Sequence, residues 1–204
     1  MGHGQGRWYR PDGTLEYEGE WREDDYHGHG KSYHRDGSTI EYEGDWDVGQ
    51  WSGQGTLYDS DGLIRYEGDF VEGMCDGQGR WYRPDGALEY EGEWREDDYS
   101  GSGRLFFFDD GDYAGAGYRY EGDFIEGKRR GQGRLYRPDG TLEYEGGWQE
   151  DDYDGHGKSY HRDGTTIEYE GAFVDGMRHG HGRSYGPDGT LEYEGGWQLD
   201  EPEP

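Results

Sequence analysis

Along Leu15-Glu16-Tyr17-Glu18-Gly19-Glu20-Trp21, apolar or small residues alternate strictly with glutamates. A period of two belongs to an extended strand, whose successive side chains point to opposite faces. Leu15, Tyr17, Gly19 and Trp21 are therefore expected on one face and the three glutamates on the other. The alternation returns as Ile40/Tyr42/Gly44/Trp46, Ile64/Tyr66/Gly68/Phe70, Leu88/Tyr90/Gly92/Trp94, Tyr118/Tyr120/Gly122/Phe124, Leu142/Tyr144/Gly146/Trp148, Ile167/Tyr169/Gly171/Phe173 and Leu191/Tyr193/Gly195/Trp197. A second kind of strand, such as Gly77-Gln78-Gly79-Arg80-Trp81-Tyr82, puts Gly77, Gly79 and Trp81 on one face and Gln78, Arg80 and Tyr82 on the other. Its central position is always basic or threonine: Arg7, Lys31, Thr56, Arg80, Arg104, Arg134, Lys158, Arg183. With the glycine and aromatic faces joined, these cations fall between neighbouring columns of glutamate, where opposite-charge cross-strand pairs contribute about 0.2–1 kcal/mol each.

Turn chemistry closes these strands into hairpins. Pro11-Asp12-Gly13, Pro84-Asp85-Gly86, Pro138-Asp139-Gly140 and Pro187-Asp188-Gly189 combine the pre-set φ of proline with the positive φ of glycine. The turn at the other end, residues 22–27 with relatives at 95–100 and 149–154, reads as longer and acidic. Strand glycines cost about 0.5–1 kcal/mol each relative to alanine. Rings leaning across a glycine strand, between equivalent strands two steps of about 4.8 Å apart, offset this. A well-covered aromatic buries about 150–250 Å², worth about 4–6 kcal/mol.

The unit recurs along the chain. Tyr-Glu-Gly begins at Tyr17, Tyr42, Tyr66, Tyr90, Tyr120, Tyr144, Tyr169 and Tyr193, in steps of 24 or 25 residues and one of 30. A Gly-x-Gly pair follows each of the first seven, and Asp-Gly precedes the next Tyr-Glu-Gly. The pattern Tyr-x-Gly-x-(Trp/Phe), Gly-x-Gly, Asp-Gly resembles the MORN repeat over nearly all of residues 4–197. The resemblance implies an all-β, solenoid-like fold, an elongated single twisted antiparallel sheet of tandem β-hairpins. Residues 1–198 would form one continuous array of about eight repeats, and 199–204 a short acidic tail. The unit at about 90–119 is atypical, carrying about six extra residues within 106–117, beginning Phe106-Phe107-Phe108. That insertion reads either as a lengthened hairpin or as a specificity loop.

Composition narrows the function. Only 28% of the 204 residues are apolar, too few for a large central core, while 17% are aromatic, which argues against disorder. Twenty Lys and Arg against 48 Asp and Glu give a net charge of −28, spread along the whole chain. Nucleic acid would be repelled, and an anionic membrane surface is disfavoured, since such surfaces attract basic clusters. The single cysteine, Cys75, and the lack of any asparagine exclude an intrachain disulfide and N-glycosylation, so a reducing, cytoplasmic setting is expected.

Sites for chemistry are weak. His34-Arg35-Asp36 and His161-Arg162-Asp163 resemble the start of a kinase catalytic loop, but that motif needs a downstream asparagine and the chain has none. The Gly-x-Gly pairs do not continue into a phosphate-binding loop. His27-Gly28-His29 and His179-Gly180-His181 lack the accompanying ligands of a metal site, and the acidic turns lack a calcium-loop pattern. Cys75 is expected as a surface thiol in a turn. No catalytic residue, cofactor or metal is expected, and the chain reads as a non-enzyme.

A single sheet whose aromatic face has no cover must curl, dimerise, or lay something into that face. The leading reading is a scaffold whose groove, rimmed by carboxylates, accepts a basic or amphipathic protein segment. Its candidate contacts are Tyr17, Trp21, Tyr42, Trp46, Tyr66, Phe70, Tyr90, Trp94, Tyr120, Phe124, Tyr144, Trp148, Tyr169, Phe173, Tyr193 and Trp197. The same stripe reads alternatively as packing between repeats, with no groove left. Two other functions stay open: phospholipid attachment, which the resemblance implies, and a homo-oligomer built through exposed end strands.

Overall fold

The computed structural model describes residues 3–107 and 117–204. Among them are seventeen strands and no helix: β1 (His3–Tyr9), β2 (Leu15–Arg22), β3 (Asp25–Tyr33), β4 (Ile40–Asp47), β5 (Gln50–Tyr58), β6 (Ile64–Val71), β7 (Met74–Tyr82), β8 (Leu88–Arg95), β9 (Asp98–Phe107), β10 (Tyr118–Ile125), β11 (Lys128–Tyr136), β12 (Leu142–Gln149), β13 (Asp152–Tyr160), β14 (Ile167–Val174), β15 (Met177–Tyr185), β16 (Leu191–Gln198) and β17 (Glu201–Pro202). They gather into two compact units, Met1–Asp98 and Tyr99–Pro204. In the first, β1 to β8 pair antiparallel in chain order. In the second, β9 to β17 do the same. The all-β architecture of tandem antiparallel hairpins, expected from the alternation, is what both units show.

Glycine faces glycine across the ladders from β1 to β8 and from β9 to β16, as in Gly6↔Gly19, Gly19↔Gly30 and Gly30↔Gly44 of the first unit and Gly133↔Gly146 and Gly146↔Gly157 of the second. The two glycines of Gly-x-Gly do different jobs. A Cβ on Gly30 would overlap the Tyr17 phenol, so the second glycine makes room for a ring. Gly28 has φ of +61° and adopts the left-handed conformation beside a bulge, where β2 and β3 slip register between Gly19 and Trp21. At each such bulge the tyrosine hydroxyl donates to a strand carbonyl. Tyr17 Oη reaches Glu20 O, Tyr42 Oη reaches Asp45 O and Tyr144 Oη reaches Gly147 O, each at 2.9 Å.

The acidic turn is shorter than expected. Arg22 pairs directly with Asp25, and the two residues between them, Glu23 and Asp24, have φ of 54° and 74°. Two successive left-handed residues define a type I′ turn, whose twist matches that of the flanking strands. Val48-Gly49, Glu72-Gly73 and Glu150-Asp151 repeat it. Backbone bonds between successive turns support the strained residues: Gly49 N donates to Tyr26 O at 3.0 Å and Gly73 N to Trp51 O at 2.9 Å.

Residues 199–204 are likewise more than a tail. Leu199 and Asp200 form another such turn, with φ of 51° and 66°, and β17 returns to pair with Trp197 and Gln198. Of the 106–117 insertion, residues 108–116 lie outside the described residues. At its base Tyr118 pairs with Phe107 and Arg119 with Phe106, in a ladder with no register shift.

Candidate functional site

The tyrosines of Tyr-Glu-Gly form the innermost layer of the aromatic face. Tyr17, Tyr42, Tyr66, Tyr90, Tyr120, Tyr144 and Tyr169 are all 0% exposed. Within each unit they stand perpendicular to a ring of their own repeat and to one of the next: Tyr17 lies 5.5 Å from Trp21 and 5.2 Å from Trp46, and Tyr144 lies 5.4 Å from Trp148 and 5.2 Å from Phe173. Trp46, Phe70, Trp94, Phe124, Trp148, Phe173 and Trp197 are buried as well, and only Trp21 and Tyr193 are half-exposed. Fourteen of the sixteen rings expected as groove contacts are thus inter-repeat packing. Their burial follows from the glycine file, which lets each ring sink onto the backbone and be flanked on both sides. The indole N–H groups of Trp46, Trp148 and Trp197 meet no oxygen or nitrogen acceptor among the described residues.

An outer layer, not singled out from the sequence, covers this floor. Nine residues after Tyr17, Tyr42 and Tyr66 come Tyr26, Trp51 and Cys75 in the first unit, and nine after Tyr120, Tyr144 and Tyr169 come Arg129, Tyr153 and Arg178 in the second. Tyr26 stacks on Tyr17 and Tyr153 on Tyr144, both at 3.8 Å, and Trp51 lies over Tyr42 at 4.9 Å. The Arg129 guanidinium sits 4.6 Å from the Trp148 ring centre, and that of Arg178 sits 5.2 Å from Tyr169. A coupling runs through these positions. Where the outer residue is a ring, the next type I′ turn ends in glycine: Gly49 for Tyr26, Gly73 for Trp51, Gly176 for Tyr153. Where it is cysteine or arginine, the turn ends in aspartate. Asp97 Oδ1 accepts from Cys75 N at 2.7 Å, Asp151 Oδ1 from Arg129 N at 2.9 Å, and Asp200 Oδ1 from Arg178 N at 2.8 Å. Asp151 also receives the Arg129 Nε at 3.2 Å.

Carboxylates reach this face too, contrary to the expectation that all the strand glutamates share the reverse side. A register shift where Leu15 meets Tyr9 leaves Glu16 outside the ladder. Its carboxylate accepts from Tyr26 Oη at 3.4 Å, and Glu143 accepts from Tyr153 Oη at 3.2 Å. Burial first, then the Glu16 charge, pushes the Tyr26 hydroxyl up to about 12.

On the reverse face the expected charge ladder is present. Arg7 meets Glu18 at 2.8 Å, Lys31 meets Glu43 at 2.9 Å, and Arg80 lies between Glu67 at 3.3 Å and Glu91 at 3.4 Å. In the second unit Arg134 pairs with Glu145 at 3.3 Å and Arg183 with Glu194 at 2.8 Å. Acidic residues at the type I′ turns, such as Glu23, Asp25, Glu150 and Asp152, are exposed at the strand ends beside the outer layer.

The remaining chemistry is structural. His34 Nε2 lies 3.1 Å from Tyr58 O and His161 Nε2 2.7 Å from Tyr185 O, tying one Asp-Gly turn to the next. Arg10 and Arg137 do the same, donating to Tyr33 O and Tyr160 O at 2.7 Å. His27 and His29 each face an aspartate, Asp47 at 3.3 Å and Asp45 at 3.4 Å, and no cluster of three metal-capable groups occurs among the described residues. Cys75 is not a surface thiol in a turn. It is buried in β7, and burial, then Asp97, pushes its thiol up to about 12, far from a reactive thiolate.

Compared with known families, the chain matches the MORN repeat at residues 1–15, 17–39, 42–64, 66–88, 90–112, 120–142, 144–166 and 169–191. Seven of these segments begin at the strand tyrosine, and those at 17–39, 42–64, 66–88, 120–142, 144–166 and 169–191 each span one hairpin closed by a type I′ turn. No curated protein matches the chain.

Proposed function

The chain belongs to the MORN-repeat family, and we propose that it is a non-catalytic scaffold that holds a basic protein segment along its aromatic face. One observation carries this reading: the outer rings stand directly beside exposed carboxylates, Tyr26 after Asp24-Asp25 and Tyr153 after Asp152. Reverse-face glutamates are largely engaged by the cation ladder, so the exposed carboxylates at the type I′ turns are among those left to meet a partner lying on rings. A partner with alternating apolar and cationic side chains would use both features. The single buried, protonated thiol is consistent with a reducing, cytoplasmic setting.

The test substitutes the outer layer and spares the core. Trp51→Ala and Tyr153→Ala should each weaken binding of a basic amphipathic peptide about tenfold, the effect of one good aromatic contact, at temperatures where circular dichroism shows each variant folded despite a midpoint lowered by loss of the stack. Binding that survives both substitutions, or that is indifferent to salt, would refute the proposal.

A further inference from the structure

Between Arg129 and Tyr153 the aromatic face of the second unit opens into a hollow of about 250 Å³. Its apolar wall is Phe107, Tyr118, Leu135 and Trp148, and its acidic lining is Asp151 and Asp152 at the type I′ turn and Glu143 at the other end of β12. The two nearby cations are already committed: Arg129 to Asp151 at 3.2 Å and Arg137 to Glu143 at 3.2 Å. Asp152 is exposed and forms no ion pair among the described residues, so the rim keeps one negative charge more than its internal partners cancel.

We infer that this hollow is the subsite for a lysine side chain of the bound segment, its methylene stem against Phe107 and Leu135 and its ammonium at Asp152. The inference rests on the scaffold reading and adds the anchoring residue type. An acidic side chain is excluded by the rim, and a purely apolar one would leave Asp152 beside desolvated surface. A flexible stem with a compact cationic head satisfies both ends of the cavity.

The experiment uses the full-length, isotope-labelled chain and two probes, Nα-acetyl-lysine methylamide and its norleucine counterpart, followed by amide chemical shifts. Saturable shifts are expected at Asp152, Tyr153 and Gly176 with the lysine probe. Norleucine, and lysine added to Asp152→Asn, should bind about threefold or more weakly, the scale of one exposed ion pair. Asp25→Asn, at the equivalent place in the first unit, should leave the shifts intact. Lysine shifts scattered over all the acidic turns, or unaltered by Asp152→Asn, would overturn the subsite. An extended peptide of repeating Lys-Ala-Leu separates the two ideas. If it binds with no dependence on Asp152, the scaffold stands and the subsite falls; if the lysine probe finds the hollow but the peptide binds no tighter, the reverse holds.

Discussion

At the residue scale, glycine and tyrosine specify each other. Gly55 lies beneath the Tyr42 ring, whereas a Cβ on Gly13, at φ +89°, would meet nothing within 4 Å. Gly55→Ala should therefore cost about 3 kcal/mol and alter the near-ultraviolet circular dichroism of the rings, since overpacking displaces a buried aromatic. Gly13→Ala should cost only the left-handed backbone term, about 1–2 kcal/mol, and leave that spectrum unchanged. Equal spectra for the two variants would contradict the glycine floor. The same burial sets an alkaline limit. Tyr17, by burial and then its neighbour Tyr26, and Tyr26, by burial and then Glu16, are both pushed from 10 up to about 12. An acid whose folded pKa is raised favours the folded state while neutral, so that stability is fully present below pH 10 and is lost as pH climbs through 10 toward 12. Denaturant midpoints should hold to about pH 9.5 and then fall, with part of the phenolate absorbance appearing only on unfolding. A midpoint unchanged to pH 12 would disprove it.

At the element scale, the type I′ turn and the outer layer act as a pair. Asp151→Gly should remove the acceptor that holds Arg129 and destabilise the chain, although glycine relieves a φ of +75°. Changing Arg129→Tyr at the same time converts this site to the ring-and-glycine kind seen at Tyr26 with Gly49. The double variant should be more stable than Asp151→Gly alone, with a coupling of about 1 kcal/mol in a double-mutant cycle. Additive effects would show the pairing to be incidental. These elements also mark how far the sequence could be read. Strict alternation from Leu15 to Trp21 disclosed the strands, the shared face and the cation ladder, because a period of two admits no other regular structure. Bulges left no such mark: the slip between Gly19 and Trp21 hides in a first glycine that looks like the second, and the slip at Leu15 sends Glu16 to the face that alternation denies it. Turn length was obscured because Glu23-Asp24 carries no glycine where a type I′ turn ordinarily has one. With the turn read as long, Tyr26 and Tyr153 looked like loop residues, and the outer layer went unseen. The sign that could have exposed it is the fixed nine-residue offset from each tyrosine, together with the alternation of glycine and aspartate in the following turn.

At the scale of the whole molecule, 48 acids meet only 20 Lys and Arg, and most of those cations are held in ion pairs such as Arg7–Glu18 and Arg183–Glu194. Salt then acts on two opposed quantities. Exposed ladder pairs are worth at most about 1 kcal/mol each and weaken on screening, while the uncompensated charge of −28 repels itself in the compact state. Twenty-eight surplus charges outweigh a dozen or so modest pairs, so the unfolding midpoint should rise as sodium chloride increases from about 10 to 200 mM, where the screening length falls below about 10 Å. A basic peptide on the aromatic face feels the opposite sign, because the same ions screen its attraction to the turn carboxylates. Stability and affinity measured on one salt series should therefore diverge, one climbing while the other falls. Were both to fall together, the loss of binding would reflect loosening of the fold; were both to rise, contact with the rings alone would account for binding and the acidic edge would have no part in it.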